Sequence, residues 1–258
     1  MAAKDIPIIP IQPTSPHTHT VVFLHGRGDN AHNFSRSLAY SRTSDGSTLF
    51  QEFPSFRWVF PQAPLRKCAS APETWNQWFD VWDVRDFGAR EDLQAAGLRE
   101  VEAAALGGRW DRVVLAGISM GGATGAHVLF NLDVPGGRLG AFVGFSCRCP
   151  FAGRNLGGMR EVLRLEGGTP EHDHVLRNTP VLLEHCADDP LVLVRNGRGL
   201  RDTLRGFGAQ VEGKEYRDGG HWFNSPAGMD DVKGFLRRHL EGLPPLSQLA
   251  GSDAMDLS

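Results

Sequence analysis

"VLAGISMGGATGAHVLF", residues 114–130, runs from a short apolar stretch into Gly117-Ile118-Ser119-Met120-Gly121-Gly122. The first part has the composition of a buried strand, and residues 121–132 read as a helix. A serine therefore stands where a strand stops and a helix starts. A turn that sharp leaves no room for bulk two residues to either side, which accounts for Gly117 and Gly121. It also lifts the serine hydroxyl above the strand end, against a helix N-terminus that favours developing negative charge. The bland reading is a glycine-rich turn with an idle serine. The rest of the chain decides between the two.

Outward from that junction, strand-length apolar runs recur at 20–24, 57–60, 112–117, 141–146, 181–185 and 210–216. Helix-like stretches lie between them, over 91–106 and 225–240 as well as 121–132. Nearly continuous apolar strands alternating with helices predict a mostly parallel central sheet with helices on both faces, the α/β class. No internal repeat or linker divides the chain, so the expected organisation is an N-terminal extension over 1–19, one domain over 20–243 and a C-terminal tail over 244–258. Two segments break the alternation. Residues 61–90 hold three of the six tryptophans within eight positions, and residues 147–179 form a Gly- and Arg-rich insertion. Loops of such length in a compact domain are often functional.

A serine nucleophile needs a base, and the base needs an acid that fixes its tautomer. On a strand–turn–helix scaffold these follow in the order Ser, Asp/Glu, His, each after a later strand. After the strand ending in "LLEH" comes "CADDPLVLV", which offers Asp188 and Asp189 side by side. Of the ten histidines only His221 and His239 follow those acids. His239 sits late in a helix, where it reads as a partner for the C-terminal charge, so His221 is the expected base. The oxyanion needs two donors: the N–H of Met120 directly after the serine, and the N–H of Arg27 in the early loop "HGRGDN". Gly26-x-Gly28 could suggest a nucleotide loop, but it lacks the third Rossmann glycine and the Walker lysine.

"LHGRGD", "FPQAP", "WFD", "GISMGG", "HCADDPLV" and "GGH" occur in the order and spacing of the phospholipase/carboxylesterase family of α/β-hydrolases, which includes the acyl-protein thioesterases. The resemblance runs from about Val21 to Leu240. It implies a single-domain α/β-hydrolase fold with Ser119 as nucleophile, Asp189 as acid and His221 as base. Asp189 rather than Asp188 is implied because His185 and Val192 frame it. It also implies an oxyanion hole at Arg27 and Met120. The chain departs from the pattern at Met120, where many relatives carry glutamine, at Cys186, where a glycine is usual, and at Leu193, where a proline often stands. These leave the chemistry intact and bear on the substrate.

The expected activity is hydrolysis of carboxylic esters or thioesters through an acyl-enzyme, with no metal or other cofactor. Two other readings remain open at this level: acyl transfer to an alcohol or amine, and a non-catalytic ligand-binding protein on the same scaffold. Trp78, Phe79, Trp82 and Trp222 are the expected substrate-binding residues, since rigid rings make good pocket walls. "HTH" at 17–19 and "HDH" at 172–174 lack supporting ligands and read as solvated loop residues. Cys147-Arg148-Cys149 lacks a second pair at zinc spacing. With 258 residues, 41% hydrophobic and a net charge of −3, nucleic acid is not expected as a partner. No run approaches the roughly 20 residues of a membrane span, and no targeting sequence is legible, so the expected setting is cytoplasmic, with a small-molecule or acylated substrate and room for a homodimer.

Overall fold

Strands buried along their whole length must lie inside a sheet covered on both faces, and residues 113–118, 141–145 and 181–186 each meet that condition. The computed structural model describes residues 6–95, 98, 109–165 and 168–242. Along the chain its strands are β1 Ile8–Ile11, β2 His19–Leu24, β3 Phe56–Pro61, β4 Leu65–Lys67, β5 Thr74–Asn76, β6 Val113–Ile118, β7 Ala141–Phe145, β8 Val181–Cys186 and β9 Val211–Tyr216. Seven of them form one sheet in the order β1-β3-β2-β6-β7-β8-β9, and β4 and β5 make a separate antiparallel hairpin. Every pairing in the large sheet is parallel except that of β1 with β3. All six strands expected from the sequence are present, within a residue or two at each end.

Successive side chains of a strand face opposite ways, and that alternation sorts the core into two layers. From β2, Val22 and Leu24 enter one layer while Val21 and Phe23 enter the other. The first layer is covered by α3 Met120–Asn131 and α6 Val194–Gly206, through Ala126, Leu129, Phe130, Leu200 and Leu204. The second is covered by α1 Ala31–Leu38 and α7 Ala227–Leu240, through Phe34, Leu38, Met229, Val232 and Phe235. Short helices α2 Leu49–Glu52, α4 Leu156–Glu161 and α5 His174–Asn178 lie between them in the chain. This is the α/β class that the strand–helix alternation predicts.

Two expectations need revision. Residues 8–11, set apart as part of an N-terminal extension, supply the antiparallel edge strand β1, with Ile9 and Ile11 packed against the core. The "HTH" segment is not solvated. His19 opens β2, is 2% exposed and packs its ring 4.7 Å from that of Phe56, and burial pushes its pKa down to about 4. The 147–179 insertion is anchored to the core: Arg160 donates to the carbonyls of Phe130, Pro170 and His172 at 2.8–2.9 Å. The helix expected over 91–106 lies mostly outside the described residues, as does the tail from 243 onward.

Alternation also carries Glu184 of β8 to the face under α7, behind Leu182. It is 4% exposed, and neither carboxyl oxygen accepts a hydrogen bond among the described residues. The nearby Tyr216 hydroxyl donates instead to Asp231, at 2.8 Å. A Cβ on Gly228 would lie 2.8 Å from Glu184 Oε2, so α7 passes directly over the carboxyl. Burial raises the pKa of Glu184 well above the usual glutamate range. Near pH 4 an unfolded glutamate is also protonated; at higher pH only the unfolded chain releases its proton, so folding loses stability as pH rises. Glu184→Gln should therefore match the wild-type Tm near pH 4 and exceed it at pH 8, the gap widening with pH. A Tm series across that range checks this, and a variant that melts lower at pH 8 refutes it.

Candidate active site

The turn after β6 is as sharp as the sequence implies. Ser119 has φ 55° and ψ −118°, a region that costs a residue with a side chain on the order of 1–3 kcal/mol. Its backbone is clamped from both sides: its N–H donates to Phe145 O at 2.9 Å, and its carbonyl accepts from Ala123 N–H at 3.0 Å. A Cβ on Gly117 would fall 2.4 Å from the backbone of Gly121, and one on Gly121 would fall 2.3 Å from Leu24 O. Neither position admits a side chain. Met120 opens α3, so its N–H belongs to the first turn, which has no acceptor within the helix.

The second half of the expected oxyanion hole is the loop after β2. A Cβ built on Gly26 would sit 3.6 Å from Ser119 Cβ, so this loop passes beside the serine. His25, fully buried, holds it there. Its Nε2 accepts from Ala63 N–H at 3.1 Å, which leaves the ring proton on Nδ1, and Nδ1–H donates to Gly26 O at 2.7 Å. Burial lowers the His25 pKa, so the ring is kept neutral in that tautomer. Trp78 Nε1 donates to His25 O at 2.8 Å, and Asn76 O accepts from Gly28 N–H at 2.8 Å. The Arg27 side chain is engaged with the hairpin segment. Its Nε donates to Gln77 at 2.8 Å and its guanidinium lies 4.7 Å from the centre of the Trp75 ring.

Asp189 and His221 follow β8 and β9. Asp189 Oδ2 accepts from His221 Nδ1 at 2.8 Å, and Oδ1 accepts from the N–H groups of Leu191 and Val192, both at 2.9 Å. Burial opposes the Asp189 charge, but hydrogen bonds from His185, His221 and Val192 outweigh it and hold the carboxyl below the usual carboxylate range. With Nδ1–H committed to a carboxylate, His221 Nε2 is left as the acceptor, the nitrogen a base needs. Asp188 does something else: its carboxylate accepts from Gly219 N–H at 3.3 Å and Gly220 N–H at 2.9 Å, tying down the loop that carries His221. No hydrogen bond joins Ser119 Oγ to another described side chain. Catalytic serine–histidine contacts commonly close only around a substrate.

The structure brings together Asp189 and His221, and sets the Arg27 loop beside Ser119. It treats the expected substrate-binding rings differently. Trp78 and Phe79 are 0% and 1% exposed and belong to the core, because the hairpin returns the chain inward and Trp78 is spent on His25. Trp222 is half-buried, its ring 4.7 Å from that of Phe223 and 6.2 Å from that of Phe34. Only Trp82 of the four is well exposed, at 41%, with the Arg90 guanidinium 5.7 Å from its ring centre. Sequence reasoning passed over His185 as a mere flank of Asp189. Its Nε2 donates to Val192 O at 2.6 Å and reaches Asp189 Oδ2 at 3.3 Å, and a Cβ on Gly197 would strike its ring at 2.3 Å. The glycine in "VRNGRG", mid-helix, was the one available signal.

Among the described residues no group of three or more His, Cys, Asp or Glu could hold a metal, and no helix is long and apolar enough to cross a membrane. Residues 8–240 match the family model described as phospholipase/carboxylesterase. Acyl-protein thioesterase 1 of Schizosaccharomyces pombe is 30% identical over 205 residues, 74% of this chain and 77% of that protein. A protein of Oryza sativa subsp. japonica named as a probable inactive carboxylesterase is 30% identical over 230 residues, 82% of this chain and 81% of that protein. The crystal structure of Zea mays acyl-protein thioesterase 2 superposes with a TM-score of 0.67 at 25% identity, covering 92% of this chain and all of that one.

The two adjacent aspartates have distinct partners, and their substitutions should separate. Asp189→Asn leaves His221 in the wrong tautomer, a defect that costs about 10⁴ in kcat in a well-studied triad enzyme. Asp188→Asn keeps one acceptor oxygen, enough for the shorter bond from Gly220 N–H, and should lose far less. Steady-state rates on a neutral p-nitrophenyl ester measure both, and equal losses would show that Asp189 does not orient the base.

Proposed function

The chain belongs to the phospholipase/carboxylesterase family of α/β-hydrolases, and on that footing we propose that it is a serine hydrolase of carboxylic esters and thioesters. The observation that carries the proposal is the Asp189–His221 hydrogen bond at 2.8 Å, formed by loops after β8 and β9 at the same carboxyl end of the parallel strands as the strained Ser119 after β6. In this reading His221 Nε2 takes the Ser119 proton as Oγ attacks the acyl carbon. Asp189, kept ionised, stabilises the imidazolium that results. The N–H groups of Arg27 and Met120 hold the oxyanion, and a removed donor of this kind typically costs about 10²–10³ in kcat. His221 then protonates the leaving alcohol or thiol. In deacylation it takes a proton from the water whose oxygen attacks the acyl carbon, and returns that proton to Ser119 Oγ as the acyl–oxygen bond breaks and the acid departs.

Several relatives are named for thioester cleavage, which brings acyl-thioesters within the proposed range. The Oryza relative's name shows that family membership alone does not carry the activity. The residues that support it here are Ser119, Asp189 and His221, together in one chain. A fluorophosphonate should label Ser119 to one equivalent, found by mass of the modified peptide, and Ser119→Ala should abolish both labelling and hydrolysis of p-nitrophenyl butyrate and butyryl-thioester. Turnover should be unchanged by EDTA. Unlabelled Ser119, or full activity in Ser119→Ala, would overturn the proposal.

A further inference from the structure

A cavity of about 670 Å³ lies at the same carboxyl end of the parallel strands, walled by three loops: residues 84–91 after the hairpin, 148–152 after β7, and 190–200 running from Asp189 into α6. Its apolar rim includes Val84, Leu191 and Leu193, exposed by 52%, 61% and 38%. Its charged residues are Arg85, Arg148 and Arg195 against Asp86 and Glu91. Both acids are already engaged. Glu91 accepts from Phe151 N–H, and Asp86 Oδ1 accepts from Gly88 N–H at 3.1 Å.

The arginines are not. Arg148 is 6% exposed and lies 4.2 Å from the centre of the Phe87 ring and 5.8 Å from that of Phe79. Its single hydrogen bond among the described residues goes to the neutral Gln94 Oε1, at 2.8 Å. Glu91 acts on it through space without reaching ion-pair contact. A guanidinium has five N–H donors in a planar fork, and a buried cation without a counter-ion is costly. Arg85 and Arg195 are exposed and hold no carboxylate among the described residues, whereas Arg198, Arg237 and Arg238 each hold one at 2.6–2.9 Å. Three unspent forks therefore line one cavity whose wall is the loop of the proposed catalytic acid.

We propose that this cavity receives an anionic group of the substrate, a carboxylate or a phosphate carried beside the scissile ester, with Arg148 as the buried anchor and Arg85 and Arg195 at the mouth. The inference rests on the hydrolase reading for the word substrate, but the site itself can be tested without turnover. Val84, Phe87, Leu191 and Leu193 would meet the hydrocarbon between the two polar ends. A purely apolar acyl chain would leave the arginines stranded.

The test is binding of adipate, inorganic phosphate and neutral dimethyl adipate by calorimetry, on wild type and on Ser119→Ala, at low ionic strength. Adipate or phosphate should bind both proteins in the millimolar range or tighter, and dimethyl adipate, tested on Ser119→Ala where it is not hydrolysed, should not. Adipate alone assigns a carboxylate substrate and phosphate alone a phosphoryl one. Because hydrogen bonds to charged groups are among the stronger ones, Arg195→Gln or Arg85→Gln should each weaken binding several-fold, and 0.5 M NaCl should weaken it further. Arg148→Lys keeps the charge but loses the fork, and should weaken binding about tenfold while avoiding an empty buried site. The kinetic counterpart is the ratio of kcat/KM for the p-nitrophenyl monoester of adipic acid to that of its methyl-capped analogue, expected above one and lowered in the arginine variants. No anion binding, or binding indifferent to all three substitutions, overturns the inference while hydrolysis of neutral esters would leave the hydrolase reading standing. Anion binding without any esterase activity would do the reverse.

Discussion

The geometry of the site depends on a neutral imidazole that takes no part in the proposed chemistry. His25 joins three segments distant in sequence: the end of β2, the "FPQAP" run after β3 and the Trp78 that follows the hairpin. Its two nitrogens are committed to opposite roles, donor to Gly26 O and acceptor from Ala63 N–H, so only the neutral form satisfies both. Charging the ring would break the bond to Ala63 inside the protein. Burial guards against that by lowering the pKa. The loop so fixed sits against Ser119, and α3 approaches the strand ends closely enough that Gly121 touches Leu24 O. An oxyanion hole made of backbone N–H groups gains most when its donors cannot move, and here rigidity comes from a histidine, an indole and a pair of glycines.

The acid side is built by a parallel logic with different parts. Asp189 must remain charged although it is 2% exposed. Three hydrogen bonds to its two oxygens, from His221 Nδ1 and the N–H groups of Leu191 and Val192, achieve this with the His185 Nε2 3.3 Å from Oδ2. His185 can stand there only because Gly197 lets α6 lie against its ring. Asp188, one residue away and exposed, has a separate task, bracing Gly219 and Gly220 so that His221 meets Asp189 and not solvent. Adjacent carboxylates thus divide the work: one orients the ring, the other the backbone that carries it.

How far the sequence could be read follows from what kind of force sets each feature. Six strands and the elbow were legible because apolar runs and glycine spacing reflect packing that any chain of this class must satisfy. β1 was missed because "IIPI" is short, contains a proline and lies on an edge, where half its pattern is exposed. The helix α6 was missed because "VRNGRGLRDTLRG" carries three glycines and few apolar residues; only Leu200 and Leu204 are buried. Trp78 and Phe79 were misjudged for a different reason. Ring content marks a residue as apolar and large, but only the path of the β4–β5 hairpin decides whether it faces a cleft or the core. His185 and Asp188 act through hydrogen bonds to partners several residues or a whole loop away, and such pairings leave no periodic trace.

The same distinction explains where specificity can reside in this molecule. Ser119, His221 and Asp189 are held by backbone geometry that tolerates almost no change, as the contacts at Gly117, Gly121 and Gly197 show. The walls of the neighbouring cavity come from loops after the hairpin, β7 and β8, where side chains can change without moving the strand ends. Burying Arg148 there costs stability that a neutral residue of the same volume would not. Its ring contacts could be made by an aliphatic side chain, its one hydrogen bond is to a neutral amide, and Glu91 reaches it only through space. A buried cation without an ion-pair partner among the described residues, at the strand ends that carry the site, is the observation on which the proposed anion subsite rests, and Leu191 of that same wall donates to Asp189, so the wall includes part of the loop that orients His221.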